Sequence, residues 1–199
     1  MYTPPLFRED RPEVMEALLR EYPLATLVVM LGDGMEATHV PLLLRDGVLV
    51  GHVARGNPIA GADGVAAIAI FHGPQHYVSP GFYATKAQDP RVVPTWNYIA
   101  VHAHGTLRTF TEPSRLRTVV ADLTAFFEGQ RAEPWHIDDA PGAYIDKLLG
   151  AITGIEIPIV RWEGKWKVSQ NRPLADRESV AEALARISHK PAISGRNCR

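Results

Sequence analysis

The sequence predicts a mainly β protein of the α+β class: a β-barrel with an N-terminal helix and helical additions towards its C-terminal end. Three observations carry this. Short apolar runs, each closed by Gly, Asp or Pro, follow one another closely over roughly the first half of the chain. Helical periodicity comes before and after those runs rather than between them. The βαβ alternation of a dinucleotide-binding sheet is missing, and so is any G-x-G-x-x-G.

The elements follow in order. Val14, Leu18 and Leu19 recur at helical spacing over residues 11–22, with Asp10 as the expected cap and Pro12 just inside the start. Residues 24–31 form a continuous apolar run, the mark of a buried strand, and Gly32-Asp33-Gly34 turns it back. Residues 38–44 are its expected partner, Asp46-Gly47 a second turn, and residues 48–53 a third strand. Residues 65–71 and 76–78 supply the fourth and fifth. A long sixth runs from Pro94 through Gly105 towards Phe110. Leu116, Val119, Val120, Leu123, Phe126 and Phe127 then share one helical face after Pro113, and Tyr144, Leu148 and Leu149 mark a further helix. A hairpin of residues 154–162 and 165–169 is expected to turn at Glu163-Gly164, and residues 177–187 close the fold as a helix. One domain is expected over residues 1–188, with a helical insertion at about 112–151 and a flexible tail at 189–199.

Composition bounds the function. The 199 residues are 46 % hydrophobic and 22 % charged, enough to bury a core in one domain. A net charge of −1 argues against a surface that wraps nucleic acid, so direct DNA binding is not expected. The segments around 112–128 and 142–151 lie too far apart for a helix-turn-helix, whose turn takes about 3–4 residues. No apolar run reaches the length of a membrane span, and the first residues lack the basic-then-apolar order of a signal peptide. Cys198, the single cysteine, allows neither an internal disulfide nor a cysteine metal cluster, and a cytoplasmic location is the default.

Some residues suit chemistry. In the sixth strand Trp96, Tyr98, Ala100 and His102 point one way, giving a face of indole, phenol and imidazole against which a flat aromatic ligand can lie. The same residues would serve an ordinary core or interface strand. In Gly51-His52-Val53-Ala54-Arg55-Gly56-Asn57-Pro58, Arg55 offers a fork of donors that matches a phosphate, and Gly56-Asn57 a tight turn with amides free for an anion. A plain turn with one solvated arginine and a packed His52 fits that pattern equally. Six of the eight histidines, His39, His52, His72, His76, His102 and His104, invite a metal or haem reading. Yet no His-x-x-x-His pair lies on a helix and no acidic residue joins the cluster at ligand spacing, so no dedicated metal site is expected. Residues 165–172 alternate cation and apolar side chain, as in a strand edge guarded by lysines or a surface that lines an anionic ligand. The polar loop 84–93 suits either function or surface padding. G-x-S-x-G, H-E-x-x-H and Walker-type motifs are absent.

Taken together, the chain resembles the PaiB-type family of FMN-binding negative transcriptional regulators, within the FMN-binding split-barrel superfamily. The matching pieces are Met1-Tyr2-Thr3-Pro4-Pro5-Leu6-Phe7, Thr38-His39-Val40-Pro41, the 51–58 segment, Tyr77-Val78-Ser79-Pro80, Val93 to Tyr98 with Val101-His102, and Lys165 to Arg172. They cover about residues 1–185. The resemblance implies an FMN-binding split β-barrel, a homodimer with two flavin sites at the subunit interface, and kinship with pyridoxamine-phosphate-oxidase-like proteins. By that analogy the Arg55/Asn57 turn meets the flavin phosphate and the Trp96–His102 strand lines the isoalloxazine. The full cofactor set it implies is His39, Pro41, His52, Arg55, Asn57, Trp96, Tyr98, His102, Lys167 and Gln170. The chain departs from the family pattern at Pro80-Gly81-Phe82-Tyr83, where a second tryptophan or a serine is expected in place of Gly81 or Phe82. A flavin-binding regulatory or sensing module is the expected function. The alternatives are a flavin-dependent oxidoreductase using NAD(P)H or a small-molecule substrate and, more remotely, a haem-binding relative. His102 and His76 are the residues that could move a proton near neutral pH, and both also suit structural rings.

Overall fold

Alternation of aliphatic and polar residues along the strands leaves one face of each for a common interior, and the sheet curls to enclose it. The computed structural model describes residues 1–32 and 34–187. Its antiparallel sheet is built from β1 (Arg8–Glu9), β2 (Leu24–Leu31), β3 (Gly34–Pro41), β4 (Leu43–Arg45), β5 (Val48–Ala54), β6 (Ala66–Val78), β7 (Thr95–Thr106), β8 (Arg108–Phe110) and β9 (Ile152–Lys167). The order is β3-β2-β6-β7-β9-β5-β4, with β1 and β8 also on β9. Four helices accompany it: α1 (Pro12–Glu21), α2 (Pro113–Glu128), α3 (Gly142–Leu149) and α4 (Leu174–Ile187).

Leu27, Val29, Leu49, Ala69, Phe71, Val101, Ala103, Ile155 and Ile157 fill the barrel interior, and Met15, Leu18 and Leu19 of α1 close one end. Each fully buried large aliphatic or aromatic side chain contributes about 1.5–3 kcal/mol. The barrel closes at a seam between β5 and β3 that has no strand ladder. There Gly51 lies so close to β3 that a Cβ would sit 2.7 Å from the Pro41 carbonyl oxygen and 2.8 Å from Leu42 Cδ2. A second core, with Leu116, Val119, Leu123, Ile145 and Leu149 around Phe110 and Leu43, fixes α2 and α3 to the outer side of β5. A third, smaller one joins Val180 of α4 to Val78 and Tyr83.

Several boundaries differ from the sequence reading. Residues 152–167 are one strand, not a hairpin: Glu163 and Gly164 pair with His102 and Val101. Gly164 serves close approach rather than a turn, since a Cβ there would lie 2.5 Å from the Glu9 carbonyl oxygen and 2.9 Å from Met15 Sδ. Lys165 therefore guards no edge, because β9 pairs there with β7 on one side and β1 on the other. β6 is likewise continuous through Gly73-Pro74, with a register shift between His72 and Gln75 where proline has no amide to donate. Leu42 divides the expected 38–44 strand into β3 and β4, and Leu107 ends β7 before β8. Asp10 does not cap α1: Arg11 stands at that position without a side-chain cap, and Glu9 accepts from the Arg11 amide at 3.0 Å. Asp33 of the first turn and the tail at 189–199, with Cys198, lie outside the described residues.

Loop 84–93 is anchored rather than loose. Asp176, 1 % exposed at the start of α4, accepts from the Thr85 amide at 2.9 Å and from Thr85 Oγ1 at 3.0 Å. The Arg172 guanidinium lies 4.4 Å over the buried Tyr83 ring.

Candidate functional site

Strand register dictates which side chains share the outer face of the sheet, because residues directly opposite one another in a ladder project the same way. One row runs His39, Thr26, Ile70, His102, Glu163 across β3, β2, β6, β7 and β9. The next runs Ala37, Val28, Ile68, His104, Arg161, and on the other side lie His72, Ala100 and Lys165. At about 4.8 Å per strand, His39 and His102 are about 14 Å apart along their row.

At the β7–β9 end this face is dense in polar groups. Nδ1 of His102 lies 3.8 Å and Nε2 of His104 3.4 Å from Glu163 Oε2. The Met1 amine donates to the same oxygen, Arg161 donates to Glu163 Oε1, and Arg161 Nη2 stands 3.0 Å from His104 Nδ1. His102 Nδ1 and His104 Nε2 are both buried without a hydrogen-bond partner. Burial, reinforced by the Met1 amine, pushes the His102 ring down to about 4, so it is neutral near pH 7. Burial raises the Glu163 carboxyl, but the hydrogen bonds from the Met1 amine and Arg161 outweigh it and hold the group at about 2.

Beside this cluster lies a layer of cations and aromatic rings. Lys165, 8 % exposed, donates to the Tyr2 carbonyl at 3.0 Å, with its ammonium 5.1 Å from the Tyr98 ring centre and 5.9 Å from that of Tyr2. Lys167 Nζ donates to Thr95 Oγ1 at 2.6 Å and also to the Trp96 carbonyl, fixing the start of β7. Burial and the neighbouring Lys165 charge lower the Lys167 ammonium. Trp96 is largely exposed and meets Tyr77 edge-on at 6.2 Å.

The ten residues singled out from the sequence fall into separate patches. Trp96, Tyr98, His102 and Lys167 share the β7–β9 patch. His39 lies on the same face at β3, where Thr26 Oγ1 stands 3.1 Å from its Nδ1, and Pro41 follows beside Leu24. Arg55 and Asn57 occupy the turn after β5, across the seam from β3, where Asn57 Nδ2 donates to Thr38 Oγ1 at 3.1 Å. Arg55 is exposed. His52 is more than half covered on the side of β5 that carries Val50 and the second core, away from the other histidines; burial lowers its ring, and its Nδ1 has no partner. Gln170 closes a turn, accepting from the Val168 amide at 2.8 Å and donating to the Trp166 carbonyl. Glu163, Lys165 and Arg161 were not among the ten. Strand alternation places Arg161, Glu163, Lys165 and Lys167 on one face once the strand is known to be unbroken, and that is the signal the glycine at 164 obscured.

The comparisons with known proteins agree with this architecture. Residues 1–161 match the family described as "Putative FMN-binding domain". The chain belongs to this family. An uncharacterized protein of Emericella nidulans is 31 % identical over 94 % of this chain and 91 % of its own length. The protease synthase and sporulation protein PAI 2 of Bacillus subtilis is 29 % identical over 92 % of this chain and 89 % of its own. Among solved structures, the FAD and heme binding protein from Mycobacterium smegmatis superposes with a TM-score of 0.62 at 20 % identity, covering 88 % of this chain and 79 % of that one. That likeness speaks for the split-barrel fold alone.

FMN is the family's cofactor, and the outer face fits it. Aromatic side chains stand beside cations there: the Lys165 ammonium lies 5.1 Å from the Tyr98 ring centre, and Trp96 is largely exposed. When bound, FMN supplies the capacity to accept and return electrons; the protein supplies orientation and electrostatics. Among the described residues no helix is long and apolar enough to cross a membrane.

Proposed function

We propose that this FMN-binding protein is a flavin-dependent regulatory or sensing module that works as a homodimer in the cytoplasm. On this reading the isoalloxazine lies along β7 against Trp96, Tyr98 and His102, with Lys167 holding the start of that strand. Arg55, presented by the Asn57 turn, takes the phosphate, and His39 and Pro41 border the ligand on β3. His52 and Gln170 act at one remove, through the β5 and β9 ends that carry them. The observation that carries the reading is the register row from His39 to His102, which gives a single outer face long enough for ring and phosphate ends to be bound apart.

A second copy is the natural cover for that face. Leu24, Met30 and Met35 project from β2 and β3 with 63 %, 60 % and 75 % of their surfaces exposed, a run of apolar side chains that a monomer leaves in water. Direct reading of DNA has little support: α2 and α3 are separated by residues 129–141, and the net charge is −1. Regulation then passes through a small molecule or a protein partner.

The competing reading is an oxidoreductase that takes electrons from NAD(P)H or a small-molecule substrate, with a neutral, unpartnered His102 to move the proton. Mixing the FMN-loaded protein with NADPH under anaerobic conditions separates the two. A regulatory module bleaches slowly; bleaching at about 1–1,000 per second, cut at least tenfold in His102→Ala, establishes the enzyme. Tight promoter binding that weakens steeply with salt would instead establish a direct repressor.

A further inference from the structure

His102 and His104 stand two residues apart on β7, so their rings leave the sheet on the same side, and Glu163 is the register partner of His102 on β9. Two imidazoles at i and i+2, with a third donor opposite, converge on one point above a sheet. Here one donor atom from each residue lies within 4.8 Å of the other two. Ligand atoms that share one tetrahedral zinc-like ion are about 3.3 Å apart, given metal–ligand distances near 2 Å. The observed 3.8 Å and 3.4 Å to Glu163 Oε2 are already near that spacing, and the two ring nitrogens, within 4.8 Å of each other, must draw together by side-chain rotation to share an ion.

The second observation is independent of that spacing. His102 Nδ1 and His104 Nε2, the two nitrogens turned towards the carboxylate, are buried and unpartnered. Buried polar atoms without partners are rare, and two around one carboxylate call for a group that accepts lone pairs from both. Two further contacts would rearrange. The Met1 amine occupies Glu163 Oε2, and Arg161, which is half exposed, donates to Glu163 Oε1 and lies against His104 Nδ1. An ion takes the place of the amine at Oε2. Arg161 swings away from His104, whose Nδ1 then carries the proton.

We propose that His102, His104 and Glu163 form a binding site for a borderline divalent transition-metal ion of the zinc or cobalt class, with its remaining coordination positions open to water or an exogenous ligand. Calcium and magnesium are the wrong class for two imidazoles and one carboxylate, because both prefer all-oxygen shells. The proposal shares His102 with the flavin reading and depends on no other part of it.

Cobalt(II) titration of the untagged, flavin-free full chain, followed by visible absorption near neutral pH, tests it. The expected result is a set of d–d bands that saturates with a Kd of about 10 µM or tighter, weakened at least tenfold in Glu163→Gln and in His104→Ala. Arg55→Ala serves as the control: it should bind cobalt as the parent does whatever it does to FMN, so the metal and flavin readings can fail separately. Should either cluster variant misfold, broadening of the His102 and His104 ring proton signals by cobalt in the unmodified chain reports on the same site. Absence of bands up to about 1 mM cobalt, unchanged affinity in the two folded variants, or ring signals that stay sharp overturns the proposal.

Discussion

Asn57 donates from Nδ2 to Thr38 Oγ1 at 3.1 Å, and so ties the turn after β5 to β3 across a seam that no strand ladder closes. Its Oδ1 meanwhile accepts from the Ile59 amide at 2.9 Å and caps the short helical turn Pro58–Gly61. One side chain thus shapes the Arg55 turn and sets its position against the sheet. Asn57→Ala is expected to cost about 1–2 kcal/mol of stability in urea unfolding. Thr38→Val removes the seam bond alone and should cost about 1 kcal/mol or less. Equal, negligible losses would show that the seam is held by apolar packing instead.

The same seam sets a steric limit at Gly51, where a Cβ would meet backbone as well as a side chain. A carbonyl oxygen on a paired strand cannot step aside as a side-chain tip can. Gly51→Ala should lower stability by about 1–3 kcal/mol or more, read as a lower urea midpoint. Gly34→Ala, whose added Cβ meets nothing within 4 Å, serves as the control.

Asp176 is buried, and both its oxygens are used on Thr85. Asp176→Ala leaves two donors of the 84–87 turn without a partner and should cost about 2–3 kcal/mol. Asp176→Asn keeps an acceptor and should cost less. Limited proteolysis ought to cut Asp176→Ala first within residues 84–93; unchanged cleavage would show that Tyr83 and Arg172 hold the loop without the carboxylate.

His52 gives a pH dependence of definite sign. Burial lowers its folded pKa below the ordinary 6.5, so the unfolded chain binds the proton more readily than the folded one. Its effect on stability is therefore flat above about pH 6.5 and destabilising as pH falls below that value. His102, lowered to about 4, acts in the same sense down to that pH. Replacing His52 by Gln should make the thermal midpoint fall less steeply between about pH 6.5 and 5 than in the parent chain. An unchanged slope would mean that the ring gains solvent or a partner on protonation.

How far the sequence disclosed this molecule depends on the kind of signal. Helix α1 was legible to within a residue, because Leu18 and Leu19 are driven inward by a barrel end that any register would provide. Glycine and proline misled in β9 and β6, where they read as turns. Gly164 is there because Glu9 and Met15 press on it, and Pro74 is absorbed by a bulge. Both reasons are tertiary. The outer face was half legible: Trp96, Tyr98 and His102 follow from alternation along one strand. Glu163 could not be joined to them, because its place opposite His102 depends on the β7–β9 register, which the turn assigned at Glu163-Gly164 had ruled out.

The most direct test of the account is a paired titration of FMN and riboflavin, followed by flavin fluorescence, on the unmodified chain and on Arg55→Ala. The account expects quenched FMN fluorescence and a Kd of about 1 µM or tighter. Arg55→Ala should weaken FMN at least about tenfold and leave riboflavin within about twofold. Absence of FMN binding by the unmodified chain would contradict the central claim. Equal weakening of the two flavins would take Arg55 away from the phosphate.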